Sequence, residues 1–249
     1  MGIYDRDYYR EPTRGGFADF RVWSINTWLI IINVAVFLLD NILQRSLDIE
    51  YYPLRYYGYF SLTTAIVHLE VWRFITFQFL HESVSHLFFN MLGLYFFGPI
   101  VEGQLGSRRY LGFYLSCGIA GAVMYLLLIS FHILITDPQT PLIGASAGIF
   151  GVLIAAAIIA PDMQIMLWFP PMPLSLRVMA WIYVGIAVYT VLNSGMNAGG
   201  EAAHLGGAVW GFLLIRNQHW LNFLAPGSRR RSATKKRVAF RDWSRDMDH

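Results

Sequence analysis

The stretch "PLIGASAGIFG", Pro141 to Gly151, places a serine among small residues at the head of an apolar run that continues to Ala160. Small residues let two membrane helices approach closely. Ser146 is therefore either a packing residue of a membrane helix or a nucleophile. Whether the rest of the chain supplies the other residues of a catalytic site decides between these two interpretations.

The composition is that of a membrane protein. The chain has 249 residues, of which 55% are hydrophobic and 14% charged, whereas soluble domains are about 45–50% apolar and about 25% charged. The first 24 residues lack the apolar core of a secretory signal, so we expect the first apolar span to be retained. The one cysteine, Cys117, has no partner for an internal disulfide and is interpreted as a packing residue.

Six apolar runs are candidate membrane spans. The last three have about 15 residues each, which reach about 23 Å at the helical rise, whereas the hydrocarbon layer is roughly 30 Å thick. Either their ends lie below the lipid surface, where a pocket reached by water can form, or the bilayer thins around them. The predicted spans are Ile25–Leu43, Ser85–Gly103, Tyr110–Ile135, Ser146–Ala160, Val178–Leu192 and Ala202–Arg216.

The basic residues predict the orientation of these spans. If the N-terminal segment, 1–24, is cytoplasmic, all but three of the 19 Lys and Arg residues fall on the cytoplasmic side, the exceptions being Arg45, Arg55 and Arg73. We therefore expect both termini in the cytoplasm and a cell (inner) membrane location. The basic tail, 217–249, is interpreted as a signal for topology and anionic lipid rather than as a nucleic-acid site.

With this orientation, four polar residues share one level of the membrane. They lie at the outer ends of the second span (His86 and Asn90), the fourth (Ser146) and the sixth (His204). Ionisable residues within a membrane indicate function by default. A serine becomes a good nucleophile when a neutral imidazole accepts its proton, so we predict Ser146 as nucleophile and His204 as base.

Stripes of small residues predict that the fourth and sixth spans pack together. In ideal helical geometry Ser146 is about 200° from the stripe on its own span. We therefore expect Ser146 at an irregular start of that helix, which Gly144 makes easier. The two stripes are Gly144, Gly148, Gly151 and Ala155, with Ala147 beside them, and Gly200, Gly207 and Gly211.

The supporting residues of this predicted site follow from their spacing. His86 and Asn90 are four residues apart and share a helical face, so both can donate hydrogen bonds to an oxyanion. His81 is interpreted as interfacial in preference to a second donor, and Glu82 and Glu201 as solvated charges. Phe150 is expected to pack on the ring of His204. The expected catalytic unit is a Ser–His dyad without an orienting acid.

These residues resemble the motifs of the rhomboid family of intramembrane serine proteases. The stretch "WRFITFQFLHESVSHLFFNMLGLYFFGPIVEGQLGSRRY" is similar to the family's Trp-Arg loop, its oxyanion His and Asn, and its Gly-x-x-x-Glu-x-x-x-Gly pattern. "GASAG" resembles the nucleophile motif and "AHLGGAVWG" the sixth-span motif. Two departures are Ala147, where the family usually has glycine, and Phe150, which is often tyrosine. The matching residues are Trp72, Arg73, His86, Asn90, Gly98, Glu102, Gly106, Ser146 and His204.

The resemblance implies an all-α bundle of six transmembrane helices over residues 25–216, with the catalytic residues recessed near the outer face. Residues 44–85 would form the interfacial first loop and 193–202 a cap loop over the site. Arg73 would be a structural hydrogen-bonding hub beside Trp72. Glu102 would tie the inner ends of the second and third spans.

The predicted activity is cleavage of transmembrane or juxtamembrane segments of other membrane proteins, without a metal or small-molecule cofactor. The expected partners are transmembrane substrates and membrane lipid, with no nucleic acid. A non-proteolytic rhomboid-like scaffold is the alternative, which Ala147 would explain by crowding the oxyanion pocket. A transporter or channel is disfavoured because the polar layer does not continue inward.

Overall fold

A computed structural model of the chain describes residues 23–166, 171–193 and 195–224, which are mostly helical. A π-helical turn covers Thr63–Val67, and 3₁₀ turns cover Phe77–Phe79 and Gln218–Leu224. The α-helices and strands are α1 (Ile25–Ser46), α2 (Pro53–Gly58), α3 (Arg73–Thr76), α4 (Val84–Leu105), α5 (Ser107–Ser130), α6 (Ser146–Ile159), β1 (Gln164–Met166), β2 (Pro173–Ser175), α7 (Leu176–Leu192) and α8 (Ala198–Arg216).

Three helices within the described part of the chain, α1, α4 and α5, are long and apolar enough to cross a bilayer. Helices α6 and α7 are also apolar but shorter. The chain is an integral membrane protein whose fold is mainly helical, as the composition predicted. The count of six spans stays a prediction.

Local sequence signals explain where several helices begin. The hydroxyl of Ser24 accepts a hydrogen bond from the N–H of Thr27, Ser83 accepts from His86, and Ser175 accepts from Val178. Each serine thereby satisfies one of the N–H groups that a helix start leaves without a partner. Between α4 and α5 the chain turns at one residue, Gly106, whose φ of 78° favours glycine.

The predicted end of the third span is wrong. Helix α5 ends at Ser130, five residues before Ile135, although residues 131–135 are almost all apolar. His132 has a φ of 58°, which a right-handed helix cannot contain. After this turn Leu134 packs into the cluster around Phe60, so its burial stabilises a loop rather than another helical turn.

Helix α8 is central to the packing and lies against α5, α6 and α7, while α4 packs against α1 and α6. The largest core cluster contains aromatic residues of α5 (Tyr110, Phe113 and Tyr114) and aliphatic residues of α6 such as Val152. Because α8 packs along α6, the two helices that carry Ser146 and His204 are held side by side.

Helix α8 begins earlier than predicted, at Ala198 instead of Ala202. Its N-cap is Asn197 in the left-handed conformation, with a φ of 61°. Five residues of the predicted cap loop, 198–202, are therefore helical. The segment that connects α7 to α8 is 193–197.

A two-stranded antiparallel hairpin was not predicted. Strands β1 and β2 pair Gln164 with Ser175 and Ile165 with Leu174. They lie between α6 and α7, in a stretch where proline and methionine obscure the period-two pattern of strands.

The predicted terminal segments lie largely outside the described residues. Of the basic tail, 217–249, the structure describes the 3₁₀ turn Gln218–Leu224, in which Leu221 is buried against the main core cluster. This part is thus packed on the helical bundle. Residues 1–22 and 225–249 lie outside the described residues.

Candidate active site

Ser146 and His204, separated by 58 residues of chain, are hydrogen-bonded side chain to side chain. The distance from His204 Nε2 to Ser146 Oγ is 2.7 Å. Ser146 is the first residue of α6, and His204 lies in the second turn of α8. This is the distance that proton transfer between a nucleophile and a base requires.

The start of α6 is fixed by the loops around it. Phe60 and Leu142 exchange two backbone hydrogen bonds, of 3.0 and 2.7 Å, and the N–H of Gly144 donates to the carbonyl of Phe77 at 2.9 Å. Gly144 has a φ of +126°, a conformation that residues with side chains rarely adopt. The sharp turn at Gly144 places Ser146 at the irregular start of the helix.

The seam between α6 and α8 contains some of the predicted small residues, Gly151, Gly207 and Gly211, together with Ala147. A β-carbon on Gly207 would lie 1.9 Å from the carbonyl oxygen of Ala147, and one on Gly211 would lie 2.5 Å from the Cα of Gly151. The residues of α6 in the seam are thus Ala147 and Gly151, which share a face at a spacing of four. Two backbones approach here to a distance that leaves no room for a side chain.

Two glycines predicted to face α8 face other elements. A β-carbon on Gly148 would meet Tyr114 of α5 at 2.7 Å, and one on Gly144 would meet His86 Nε2 at the same distance. The physical reason is the helical period, because Gly148 is rotated by about 100° from Ala147. The seam of Ala147 and Gly151 thus lies about 100–140° from Ser146 rather than about 200°, so the serine can reach His204.

The methyl group of Ala147, which the sequence suggested would crowd the predicted oxyanion pocket, lies against another helix. It packs against α5, where a β-carbon on Gly121 would lie 2.7 Å from it. Ala147 is buried. The departure from the family pattern is accommodated between two helices.

Phe150 lies one turn after Ser146 and stacks on His204. The ring centroids are 4.1 Å apart and the planes are inclined by 12°. On its other side Phe150 makes an edge contact with Tyr183 of α7, with 6.0 Å between the centroids. The aromatic face restricts rotation of the His204 ring.

Glu201, which the sequence predicted to be a solvated charge, contacts His204. Its Oε2 is 2.9 Å from His204 Nδ1, the ring nitrogen opposite to the one that contacts Ser146. The Glu201 side chain is 19% exposed and that of His204 is 13% exposed. The interpretation of Glu201 as a solvated charge is wrong, because α8 begins one turn earlier than predicted and places position 201 beside His204.

His86 and Asn90 lie on α4, and His86 faces the turn at Gly144 before α6. A β-carbon on Gly144 would lie 2.7 Å from His86 Nε2 and 3.6 Å from Ser146 Oγ. The side chains of His86 and Ser146 therefore border the same glycine. Asn90 is 6% exposed, and its Nδ2 has no hydrogen-bond partner among the described residues. A buried amide donor of this kind is available to a ligand.

His81 is buried, contrary to its interpretation as interfacial. It is 1% exposed, its ring meets that of His86 at a centroid distance of 5.0 Å, and neither ring nitrogen has a partner among the described residues. Burial, together with the neighbouring His86, lowers the pKa of His81 to about 3. The ring is therefore neutral at physiological pH.

The Trp72–Arg73 pair lies in the first loop, away from Ser146. Arg73 is buried, donates to the carbonyl oxygens of Tyr56 (3.1 Å) and Tyr59 (2.6 Å), and pairs with Glu70. Trp72 is half exposed, and its Nε1–H donates to the carbonyl of Tyr57 at 3.3 Å. These contacts hold the loop together.

Glu102 forms a second polar cluster at the opposite end of α4. Its carboxylate accepts from the N–H groups of Ile25 (2.9 Å) and Asn26 (3.0 Å) and from the hydroxyl of Ser107 (2.6 Å). It thus joins the start of α1 to the junction of α4 and α5. Negative charge at a helix N-terminus is favourable.

Comparison with known proteins identifies the family. A family model described as "Rhomboid domain" matches residues 68–219. This match covers more than half of the chain and includes Ser146, His204 and Glu102. The chain belongs to the rhomboid family, and the resemblance seen in its motifs is confirmed.

Named relatives are distant and longer than this chain. "RHOMBOID-like protein 12, mitochondrial" of Arabidopsis thaliana is 26% identical over 72% of this chain and 54% of its own length. "Rhomboid protease AarA" of Providencia stuartii is 26% identical over 77% of this chain and 71% of its length. "Rhomboid protease GluP" of Bacillus subtilis is 34% identical over 57% of this chain and 25% of its own length. The chain spans about half the length of the first of these relatives.

Proposed function

We propose that this chain is an intramembrane serine endopeptidase that cleaves transmembrane or juxtamembrane segments of other membrane proteins. The observation that carries the proposal is the 2.7 Å contact between Ser146 Oγ and His204 Nε2 at the start of α6. Membership of the rhomboid family, whose relatives include named proteases, supports it.

In the proposed mechanism Ser146 Oγ attacks the scissile carbonyl carbon while its proton passes to His204 Nε2. The tetrahedral intermediate collapses when the C–N bond breaks and the imidazolium returns the proton to the leaving amine. A water molecule then repeats the sequence on the acyl-enzyme, with His204 again accepting a proton. The carboxylic product leaves, and Ser146 regains its hydroxyl.

The proposed oxyanion donors are His86, Asn90 and the first backbone N–H groups of α6. Asn90 Nδ2 is buried and has no partner among the described residues, so it can donate without first breaking another hydrogen bond. The first N–H groups of α6 have no intrahelical acceptor and carry the positive end of the helix dipole. Donors that are already oriented stabilise a developing negative charge at little reorganisation cost.

We propose that the site is recessed below the outer lipid surface, with six spans, both termini in the cytoplasm and a cell (inner) membrane location. Helix α6 has 14 residues, a length of about 21 Å against roughly 30 Å of hydrocarbon. Ser146 at its first residue would therefore lie within the membrane layer. Membrane lipid surrounds the domain, and a substrate segment must unwind near the cut because a helix holds its carbonyls in its own hydrogen bonds.

A non-proteolytic scaffold is the alternative function. The reason for considering a scaffold was the methyl group of Ala147, which was expected to crowd the oxyanion pocket. This methyl group packs against Gly121. A scaffold also has no need for a hydrogen bond between a serine and a histidine. The contacts at Ser146 therefore favour the protease.

The test uses the purified full chain in detergent or lipid vesicles. A fluorophosphonate probe is expected to label Ser146 and to fail in His204→Ala, and a panel of transmembrane peptides is expected to contain substrates whose cuts map by mass. Substrates with helix-weakening residues near the cut should be preferred. Absence of labelling and of cleavage in the folded protein would favour the scaffold.

A further inference from the structure

Glu201 is the acidic residue that contacts the site but has no role in the Ser–His mechanism above. We infer that Glu201 is a positioning residue that orients His204 and fixes its tautomer, so that the site acts as a Ser–His–Glu unit. This inference rests on the proposed function. It differs from the dyad that the sequence led us to expect.

The two ring nitrogens of His204 are each in contact with one oxygen. Nε2 is 2.7 Å from Ser146 Oγ and Nδ1 is 2.9 Å from Glu201 Oε2. An ionised carboxylate only accepts hydrogen bonds, so the proton of the neutral ring belongs on Nδ1. Nε2 then presents its lone pair to the Ser146 hydroxyl, which is the form that a general base needs.

Helical geometry allows this contact from position 201. Glu201 precedes His204 by three residues on α8, a spacing that puts both side chains on one face. Both side chains are mostly buried, at 19% and 13% exposure, so water competes little for the contact. With Phe150 stacked on its face, the His204 ring is fixed by partners on three sides.

A purely structural role for Glu201 is the competing explanation. Glu201 lies in the first turn of α8, where a negative charge is favourable for any helix. Within the described residues, however, its carboxylate bonds to His204 and to none of the N–H groups at the start of α8. The direction of the carboxylate therefore matches the ring rather than the helix terminus.

The chemical consequence concerns the moment at which His204 becomes charged. When Ser146 Oγ forms its bond to the carbonyl carbon, the proton moves from Oγ to Nε2 and the ring becomes an imidazolium. The Glu201 carboxylate keeps its negative charge, accepts the Nδ1–H bond throughout and stabilises the positive ring beside it. No proton has to move to Glu201.

The experiment compares Glu201→Gln with wild type as purified full-length proteins. We expect kcat to fall by about 100-fold, at the lower end of the range for general acid–base groups, with KM unchanged and with fluorophosphonate labelling of Ser146 slowed by a similar factor. Glu201→Asp should recover part of the rate, since it keeps the charge. Glu50→Gln, which makes the same change at an exposed position, is the matched control and should behave as wild type.

A measurement on the wild-type protein keeps the inference testable if the variant fails to fold. With ¹⁵N-labelled histidine, the signal assigned by its loss in His204→Ala should report protonated Nδ1 and unprotonated Nε2. The opposite tautomer in wild type, or a Glu201→Gln variant with full kcat, would overturn the role of Glu201. If wild type still cleaved its substrate in that case, the proposed protease function would stand. Loss of thermal stability without the kcat effect would also overturn the role of Glu201, whereas an inactive, unlabelled wild type would refute the proposed function itself.

Discussion

Two polar clusters among the described residues, one around Glu102 and one around Ser146, differ in how completely their hydrogen bonds are satisfied. In the Glu102 cluster (Glu102, Asn26, Ser107 and Tyr110) each of these side chains bonds within the protein: Tyr110 donates to Asn26 Oδ1 at 2.7 Å, and Asn26 Nδ2 donates to the carbonyl of Leu94 at 2.9 Å. In the Ser146 cluster (Ser146, His204, Glu201, His86 and Asn90) the Asn90 Nδ2 donor has no partner among the described residues.

This difference separates a structural polar network from one that can act on a substrate. A satisfied network gains its stability on folding and leaves nothing for a ligand to use. An unpaired buried donor costs stability, about 1–3 kcal/mol in typical proteins, and the proposed oxyanion would recover that cost. Substitutions in the Ser146 cluster should therefore affect rate, and those in the Glu102 cluster should affect stability.

The largest expected effect is that of Ser146→Ala or His204→Ala. Each variant removes a reacting group, so kcat should fall by at least about 10⁴-fold, as it does when members of other serine catalytic units are removed. Melting temperatures in the same detergent should stay near the wild-type value, because the Ser146–His204 bond is one of many contacts along α6 and α8. Residual turnover near the wild-type rate in either purified variant would refute its assigned role.

The next effect is on the proposed oxyanion donors. His86→Ala and Asn90→Ala should each lower kcat by about 10²–10³-fold, the loss seen when one donor is removed from an oxyanion hole. KM should change little, since the bond forms with the charge of the intermediate. His219→Ala and Asn41→Ala remove the same groups at other places in the fold and are the controls. If kcat survives loss of both donors, neither belongs to the site.

The corresponding change in the Glu102 cluster should have the opposite signature. Glu102→Gln puts an NH₂ group where two N–H groups and a hydroxyl donate, so we expect a loss of about 2–3 kcal/mol in the free energy of unfolding. The kcat of the folded protein should be unchanged, because Glu102 lies at the other end of α4 from His86. Unfolding by denaturant and turnover at 25 °C, measured on one preparation, test both parts. A large fall in kcat at unchanged stability would erase the distinction between the clusters.

The sequence predicted the partners of the Ser146 cluster better than their orientation. Small residues on two spans, the polar layer and the family motifs led to the pairing of Ser146 with His204. The rotation of α6 was misjudged because Gly144 and Gly148 were placed in the seam and Ala147 only beside it, although a methyl group is small enough to lie between Gly121 and the backbone of α8. Helix contacts depend on which face of the helix turns toward its neighbour. The small residues of α6 allowed either the face with Gly144 and Gly148 or the face with Ala147 and Gly151 to meet α8.

Glu201 and His81 could not be assigned from sequence for a related reason. Whether a charged residue near a helix end is solvated depends on where that helix begins and on what covers it. The start of α8 at Ala198, set by Asn197 in a left-handed conformation, brings Glu201 into the bundle. His81 is buried where its ring meets that of His86 on α4, a tertiary contact that the local sequence does not predict.

The smallest expected effect concerns two aromatic residues, Tyr110 in the Glu102 cluster and Phe150, which packs on His204 of the Ser146 cluster. In the Glu102 cluster the ring of Tyr110 carries a hydroxyl that completes a hydrogen bond, whereas Phe150 contributes only its face to His204. Such a pair contributes about 0.5–1.5 kcal/mol beyond burial, which corresponds to a rate change of about 2- to 13-fold. Phe150→Leu should lower kcat within this range, because the ring of His204 gains rotational freedom, and Phe150→Tyr should stay close to wild type since it keeps the stacked face. Equal rates in Phe150→Leu and wild type would mean that Glu201 and Ser146 alone hold the imidazole, and a fall in Phe150→Tyr as large as that in Phe150→Leu would mean that the site excludes a hydroxyl rather than needing a ring.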